Sequence, residues 1–383
     1  MKILFVCQQY IHSARWINQL KDTDHEIYVF DCLDRSIHKE LLWTNYITNW
    51  SKRKLPYVKG EHFFKKKIPR LYEKIEPVLK IIPSEKLCQI IKEIKPDVVH
   101  SLEMQSQTYH VFKAKQQFNF KWAYFSWGSD LYLYQNDKKH SSKIKKVLQN
   151  VDFLFTDNQR DIQLAKQLGF KGNELPVFPG GGGYYLEAYQ QYIKPVLERN
   201  LILIKGYHHW AGRALVVLNA LELISDKIKD YDIYVYSAHQ VVVYKIEEMN
   251  RKHTINIQYS TRGKEISHEE LLAKFGSAKI AIGNSISDGI PNTLLEAIIL
   301  GTFPIQSNPG GATDDYIVDG ENGFLIENPE NSKEIADKIM LALKNDKLLG
   351  KVFKINQEKA KELEYKKIQK QVLRVYKNIE MSL

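Results

Sequence analysis

Cysteine is scarce in this chain: three residues in 383, at positions 7, 32 and 88. Three scattered thiols build neither a disulfide framework nor a metal site, and they read as reduced core thiols of a cytoplasmic protein. No stretch approaches the roughly 18 uninterrupted apolar residues of a membrane-spanning helix. The opening Met1-Lys2-Ile3-Leu4-Phe5-Val6-Cys7 starts like a secretory leader, but its apolar run stops at Gln8-Gln9 and no small-residue cleavage site follows. The Gly180-Gly181-Gly182-Gly183 run lacks the Lys-Ser or Lys-Thr of a phosphate-binding P-loop, which speaks against nucleoside triphosphate hydrolysis. Four successive glycines mark a boundary instead, read as a hinge, with a phosphate cradle as the other reading.

Acidic residues are short in one half only. The net charge is +10, and residues 1–200 hold 31 Lys and Arg against 21 Asp and Glu, while residues 201–383 hold 24 of each. Residues 51–70 alone carry eight basic side chains and one acidic, interleaved with Leu55, Tyr57, Phe63, Phe64 and Ile68, and with Trp43, Tyr46 and Trp50 just upstream. Basic residues mixed with aromatics suit an anionic membrane surface, each cation contributing about 1 kcal/mol near the headgroups. A solvated loop and a nucleic-acid patch remain the other readings, and the membrane is preferred over nucleic acid.

What is present in quantity is apolar residues, 44%, in short runs that alternate with helical patterns as a doubly wound α/β protein requires. Strands are expected at 2–6, 26–30, 97–100, 121–126 and 151–156, with helices near 13–20, 84–94, 106–117, 141–149 and 158–168 between them. A second series begins at Leu201-Ile202-Leu203-Ile204 and continues with strands at 232–236, 255–258 and 279–283. Its helices fall at 213–225, 241–251 and 267–276. Three polar-rich helices close the chain, and in the last of them Ile368, Val372, Val375, Tyr376 and Ile379 form one packing face.

The stretch richest in chemistry runs from Ser287 to Ala297. Asp288 precedes the turn Gly289-Ile290-Pro291, Asn292 or Thr293 is placed to cap a helix, and Glu296 sits about a turn inside it before Gly301 stops it. Two carboxylates therefore flank the unpaired amides of a helix start, a ready place for phosphate. Phe303-Pro304-Ile305, Asn308-Pro309-Gly310-Gly311, Asp314-Asp315 and the turn Asp319-Gly320-Glu321-Asn322-Gly323 follow.

From Ser285 to Ile326 this run resembles the donor-binding region of retaining glycosyltransferases of the GT-B fold, family 4, the glycosyl transferases group 1 type. Segments such as Lys95-Pro96-Asp97-Val98-Val99-His100 and Ser126-Trp127-Gly128-Ser129-Asp130 resemble loops of that family's amino-terminal half. The resemblance implies two Rossmann-like doubly wound domains facing a cleft, with the last helix crossing back to the first. The expected division is an acceptor domain over 1–195 with its basic membrane-facing segment 51–70, a nucleotide-sugar donor domain over 196–365, and a returning helix over 366–383.

It also implies roles. Glu296 would accept from the donor's ribose hydroxyls and Asp288 would contact the transferred sugar. Arg213 and Lys205, beside Gly206, would meet the diphosphate together with the turn and helix start Gly289, Ile290, Pro291, Asn292 and Thr293. Asp130 would act toward the acceptor, and His100 is either a site residue or a strand-end histidine satisfied by backbone. The chain departs from the family pattern at Asp288, where Glu is usual, and at Trp127, which stands in a histidine position. It departs again at Gln8-Gln9, in place of a glycine pair, and in the order of Lys205 and Arg213. Adjacent His208 and His209 point apart and do not suggest a metal.

The implied activity is transfer of a sugar from a UDP- or GDP-type donor to a glycan or lipid-linked acceptor, with retention and without metal or cofactor, in the assembly of a surface polysaccharide such as lipopolysaccharide or capsule. The implied location is cytoplasmic, peripheral on the inner face of the membrane. A nucleotide-sugar epimerase of the same fold is the rival enzyme, and a non-catalytic membrane or nucleic-acid adaptor the rival from another class.

Overall fold

The computed structural model describes residues 1–253 and 255–383. The chain divides into two compact units. The first comprises Met1–Thr156, Asp161–Gly182 and Gln371–Leu383, and the second Asp157–Arg160 and Gly183–Lys370. The division falls between Gly182 and Gly183, inside the tetraglycine run rather than at 195, and the returning segment begins at 371 rather than 366. At Gly182 the backbone takes φ 71°, a left-handed conformation that glycine adopts without a Cβ penalty.

In the first unit, β1 (Lys2–Val6), β2 (Glu26–Phe30), β3 (Asn45–Ile47), β4 (Val98–Leu102), β5 (Lys121–Phe125), β6 (Phe153–Phe155) and β7 (Asn173–Glu174) form one sheet in the order β3-β2-β1-β4-β5-β6-β7. Every pairing is parallel. The central strands read as unbroken apolar runs because helices cover both faces, and all five residues of β4 are buried.

The second unit holds β8 (Leu201–Lys205), β9 (Asp232–Ala238), β10 (Ile257–Thr261), β11 (Ala278–Gly283), β12 (Phe303–Ser307) and β13 (Phe324–Ile326), again all parallel, in the order β10-β9-β8-β11-β12-β13. Side chains alternate across this sheet as strand geometry demands: Ile202 and Ile204 join one core, Leu203 the other. In each sheet the strand order reverses once, between β1 and β4 and between β8 and β11. Loops at the carboxyl ends of those strands are where open α/β sheets hold ligands.

The last helix, Tyr365–Met381, buries the five apolar positions read from its sequence, Ile368, Val372, Val375, Tyr376 and Ile379. Within the first unit the hydroxyl of Tyr376 bonds to His100 Nδ1 at 2.7 Å and accepts from Trp16 Nε1 at 3.3 Å. His100 is fully buried, stacks on Phe155 with ring centres 4.7 Å apart, and has its pKa pushed down to about 3 by burial. It is a neutral core histidine, held at Nδ1 by a tyrosine of the last helix rather than by backbone, while its buried Nε2 has no hydrogen-bond partner among the described residues.

Candidate active site

Two loops of the second unit leave the sheet where its order reverses. The loop after β8, 206–213, and the loop after β11, 284–291, are zipped together by an antiparallel bridge between Gly212 and Ser285. Arg213 N donates to Asn284 O at 2.9 Å and Ile286 N donates to Ala211 O at 3.0 Å. Gly206 is required by close approach, since a Cβ there would lie 2.6 Å from Ala238 Cα. Gly289 is equally constrained: a Cβ would come within 2.5 Å of Asp157 Oδ2, which accepts from Ile290 N at 3.0 Å.

The zipped loops bring Lys205 and Asp288 together, Nζ to Oδ2 3.6 Å, while Asp288 Oδ1 accepts from Gly289 N at 3.1 Å. The cation expected at phosphate and the carboxylate expected at sugar are thus partners of each other. Tyr207 carries Lys205 Nζ and the Arg262 guanidinium over its ring, each 4.9 Å from the centre. Arg213 is turned onto its own loop. Its Nη1 donates to the carbonyls of His209, Ala211 and Gly212 at 3.1, 3.3 and 3.0 Å, and its Nε bonds to Glu330.

Helix Asn292–Ile299 opens from Pro291, which occupies the cap position with φ −64° and ψ 130°. This corrects the expectation of an Asn292 or Thr293 cap: Asn292 is the first helical residue and its Oδ1 accepts instead from the Tyr184 hydroxyl at 2.9 Å. Proline suits a helix start because its φ is preset and the missing N–H costs nothing there. Glu296, 3% exposed, lies in the second turn, and its Oε1 accepts from His268 Nε2 at 2.7 Å. His268 opens helix His268–Ser277 behind a Ser267 cap that accepts from Glu270 N at 3.1 Å. The Ser-x-x-Glu pattern of 267–270 is a helix-start signature that could have located His268 at a sheet edge, though not opposite Glu296.

In the first unit, Asp130 is buried under four donors. Its Oδ2 accepts from Tyr124 Oη at 2.7 Å and Met104 N at 3.0 Å, and its Oδ1 from Trp127 N at 2.9 Å and Ser126 Oγ at 3.2 Å. Burial, then the nearby Glu103 charge, pushes its pKa up to about 7. The carboxylate ties the loops after β4 and β5 together. Nearer the reversal of this sheet, Glu103 holds φ 70° and ψ 133°, a strained setting for a residue with a Cβ. Its carboxylate accepts from Gln105 N at 2.7 Å, Ser106 N at 2.8 Å and Gln8 Nε2 at 3.4 Å, and Gln8 Oε1 in turn accepts from Arg35 at 2.9 Å. Neither Glu103 nor Arg35 carries a sequence pattern that would mark it.

The basic segment forms helices Glu61–Lys67 and Pro69–Leu79, and every residue of 51–70 except Glu61 is exposed. Glu61 is held by Arg53 at 2.8 and 3.0 Å and by the Tyr72 hydroxyl at 2.9 Å, and the Arg53 hydrogen bonds bring its pKa down to about 2. Lys54 pairs with Glu85 at 2.7 Å. Trp50 corrects the expectation of an upstream aromatic beside this surface: it is 5% exposed, packed on Phe30, with Nε1 donating to Asp31 O at 2.9 Å. Beyond residue 70 the exposed apolar side chains continue with Leu71, Ile75 and Val78. No helix among the described residues is long and apolar enough to cross a membrane, and none of their His, Cys, Asp and Glu side chains cluster in threes to hold a metal.

Residues 216–362 match the family Glycosyl transferases group 1, and residues 2–158 match Glycosyl transferase 4-like. Solved structures of the same fold include sucrose-phosphate synthase from Thermosynechococcus elongatus, with a TM-score of 0.72 and 16% identity over all of both chains. Anabaena HepE in complex with UDP-glucose gives 0.70 at 13% identity, over 99% of this chain and 100% of that one. The lipopolysaccharide outer core galactosyltransferase WaaB gives 0.68 at 16%, over 100% and 99%. No curated protein matches the sequence.

Proposed function

We propose that this protein is a group 1 glycosyltransferase of the GT-B fold that transfers a sugar from a uridine- or guanosine-diphosphate donor to a glycan or lipid-linked acceptor, with retention at the anomeric carbon and no metal. The observation that carries the reading is Glu296: a carboxylate buried within a helix, oriented by His268, at the strand-order reversal of the second unit. A buried, hydrogen-bonded carboxylate offers fixed acceptor lone pairs, which is what recognition of a ribose diol needs. That HepE binds UDP-glucose on this fold supports a nucleotide-sugar donor.

The chemistry follows from charge. A departing diphosphate gains negative charge as the glycosidic bond breaks, and donors already fixed in place stabilise it best. Lys205 and the amides of Asn292 and Thr293 at the helix start supply such donors, the turn Gly289 to Pro291 is held by Asp288 and Asp157 through the Gly289 and Ile290 amides, and Arg213 fixes the facing loop. Asp288, drawn to Lys205, faces the sugar hydroxyls once that cation turns to phosphate. Glu296 and Asp288 bind donor rather than move protons, and Asp130 positions the acceptor-side loops.

The exposed Phe63, Phe64 and Lys65-Lys66-Lys67 support docking on an anionic membrane, hence work at the inner face of the cell membrane on a surface polysaccharide such as lipopolysaccharide or capsule. The test is a thermal-shift panel of UDP, GDP and their sugars. A true donor at a hundred times its Kd adds about 2.7 kcal/mol of stability. Silence across the whole panel refutes the assignment.

A further inference from the structure

The loop between β8 and the helix that starts after Arg213 holds two adjacent histidines, His208 and His209, and the second organises it. His209 Nδ1 accepts from two backbone amides of its own loop, Ala211 N at 3.0 Å and Gly212 N at 3.2 Å. Those two residues are the ones that zip onto the β11 loop, Gly212 through its bridge to Ser285 and Ala211 through its carbonyl to Ile286 N. The carbonyl of His209 accepts from Arg213. A single ring nitrogen thus sets the geometry of the segment that carries Arg213 and lies against Asp288. An imidazole nitrogen accepts only while it bears no proton, so this loop requires neutral His209 with hydrogen on Nε2.

We propose that His209 is a positioning residue of the donor site: its neutral imidazole folds loop 207–213, and protonation of Nδ1 releases that loop and the nucleotide diphosphate it helps to hold. The inference rests on the donor reading of the second unit.

The surroundings bear on how readily the ring takes a second proton. His239 meets it edge-on from the end of β9 with ring centres 5.4 Å apart, Trp210 stacks on it at 5.2 Å and Tyr207 lies at 5.7 Å. Lys205 from the end of β8 and Arg262 from beyond β10 bring positive charge, Asp288 from the β11 loop brings negative, and Arg213 lies on its carbonyl side with Glu330 behind. Burial first, and then His239, Arg262 and Lys205, lowers its pKa below the ordinary 6.5, with Asp288 opposing. The sign follows: the brace is intact above 6.5 and is lost as pH falls from there through the lowered folded value.

Asparagine is the informative replacement, because its Oδ1, like histidine Nδ1, sits one bond beyond Cγ and accepts from amides two and three residues on, yet never takes a proton at these pH values. UDP is titrated calorimetrically between pH 8 and pH 5 into the wild-type protein, His209→Asn and His209→Ala, with amide hydrogen exchange of 207–213 followed in the ligand-free proteins. Ionisation of the UDP phosphate is common to all three, so the quantity read is the ratio between proteins. At pH 8, Ala is expected to weaken UDP about tenfold, the worth of one to two neutral hydrogen bonds, and Asn to restore it. Toward pH 5 the wild type weakens relative to Asn, by at most about tenfold, and protection of the Ala211 and Gly212 amides, corrected for intrinsic rates, falls in the wild type and is kept in Asn. A constant ratio of wild type to Asn across the range, or unchanged protection in both, overturns the proposal. Absence of UDP binding at every pH in every protein instead refutes the donor reading, and hydrogen exchange then decides the brace by itself.

Discussion

His268 Nε2 donates to Glu296 Oε1 at 2.7 Å, joining an exposed imidazole to a carboxylate buried in its helix. The imidazole bridges solvent and a buried acid, so one carboxylate oxygen is occupied and oriented from outside the helix that carries it.

Glu296→Gln keeps the shape of the side chain and removes its charge. UDP affinity is expected to drop by roughly 1.5–3 kcal/mol, the worth of a charge-assisted hydrogen bond, as read by calorimetry. Unchanged affinity would separate helix Asn292–Ile299 from the donor site.

Asp130 has a stability signature. Its folded pKa of about 7 lies above the ordinary 3.8, so the stability it contributes as a protonated group is complete below 3.8 and is lost as pH rises through about 7. Asp130→Asn offers an amide hydrogen to four donors and is expected to cost about 1–3 kcal/mol. Urea unfolding at pH 4 and pH 8 should show the gap between wild type and variant narrowing at the higher pH. A gap that widens with pH would contradict the raised pKa.

Lys65→Glu, Lys66→Glu and Lys67→Glu together reverse three charges in the last turn of an exposed helix. Sedimentation with anionic vesicles should pellet the parent protein in low salt and leave the triple variant in solution, because surface attraction is screened over a Debye length of about 8 Å at physiological ionic strength. UDP affinity should be equal in the two. If both proteins pellet alike, the segment is an ordinary solvated surface.

The elements were legible in the sequence because parallel strands covered on both faces leave unbroken apolar runs, such as Leu201 to Ile204, bounded by turn residues. The packing face of the last helix was legible for a related reason: its helical period survives intact from Ile368 to Ile379. Partnerships across the fold were not. Lys205 and Asp288 lie 83 positions apart and meet through loops whose register is set by a bridge at Gly212 and Ser285. Trp50 sat in sequence beside a basic, exposed stretch, yet Phe30 and the Asp31 carbonyl take it inside. Composition over a window averages such neighbours together, whereas burial is decided residue by residue.

Tyr376 also has a consequence for the order in which the chain can mature. The second unit is complete in sequence by Lys370, but the first needs residues 371–383 to fill the space over Trp16 and to occupy His100. On a ribosome the first unit's opening 156 residues emerge early and wait, with an aromatic core still lacking its tyrosine, while the entire second unit is made. The half synthesised first is therefore the half finished last, and its exposed interval lengthens with every pause in translation of the other.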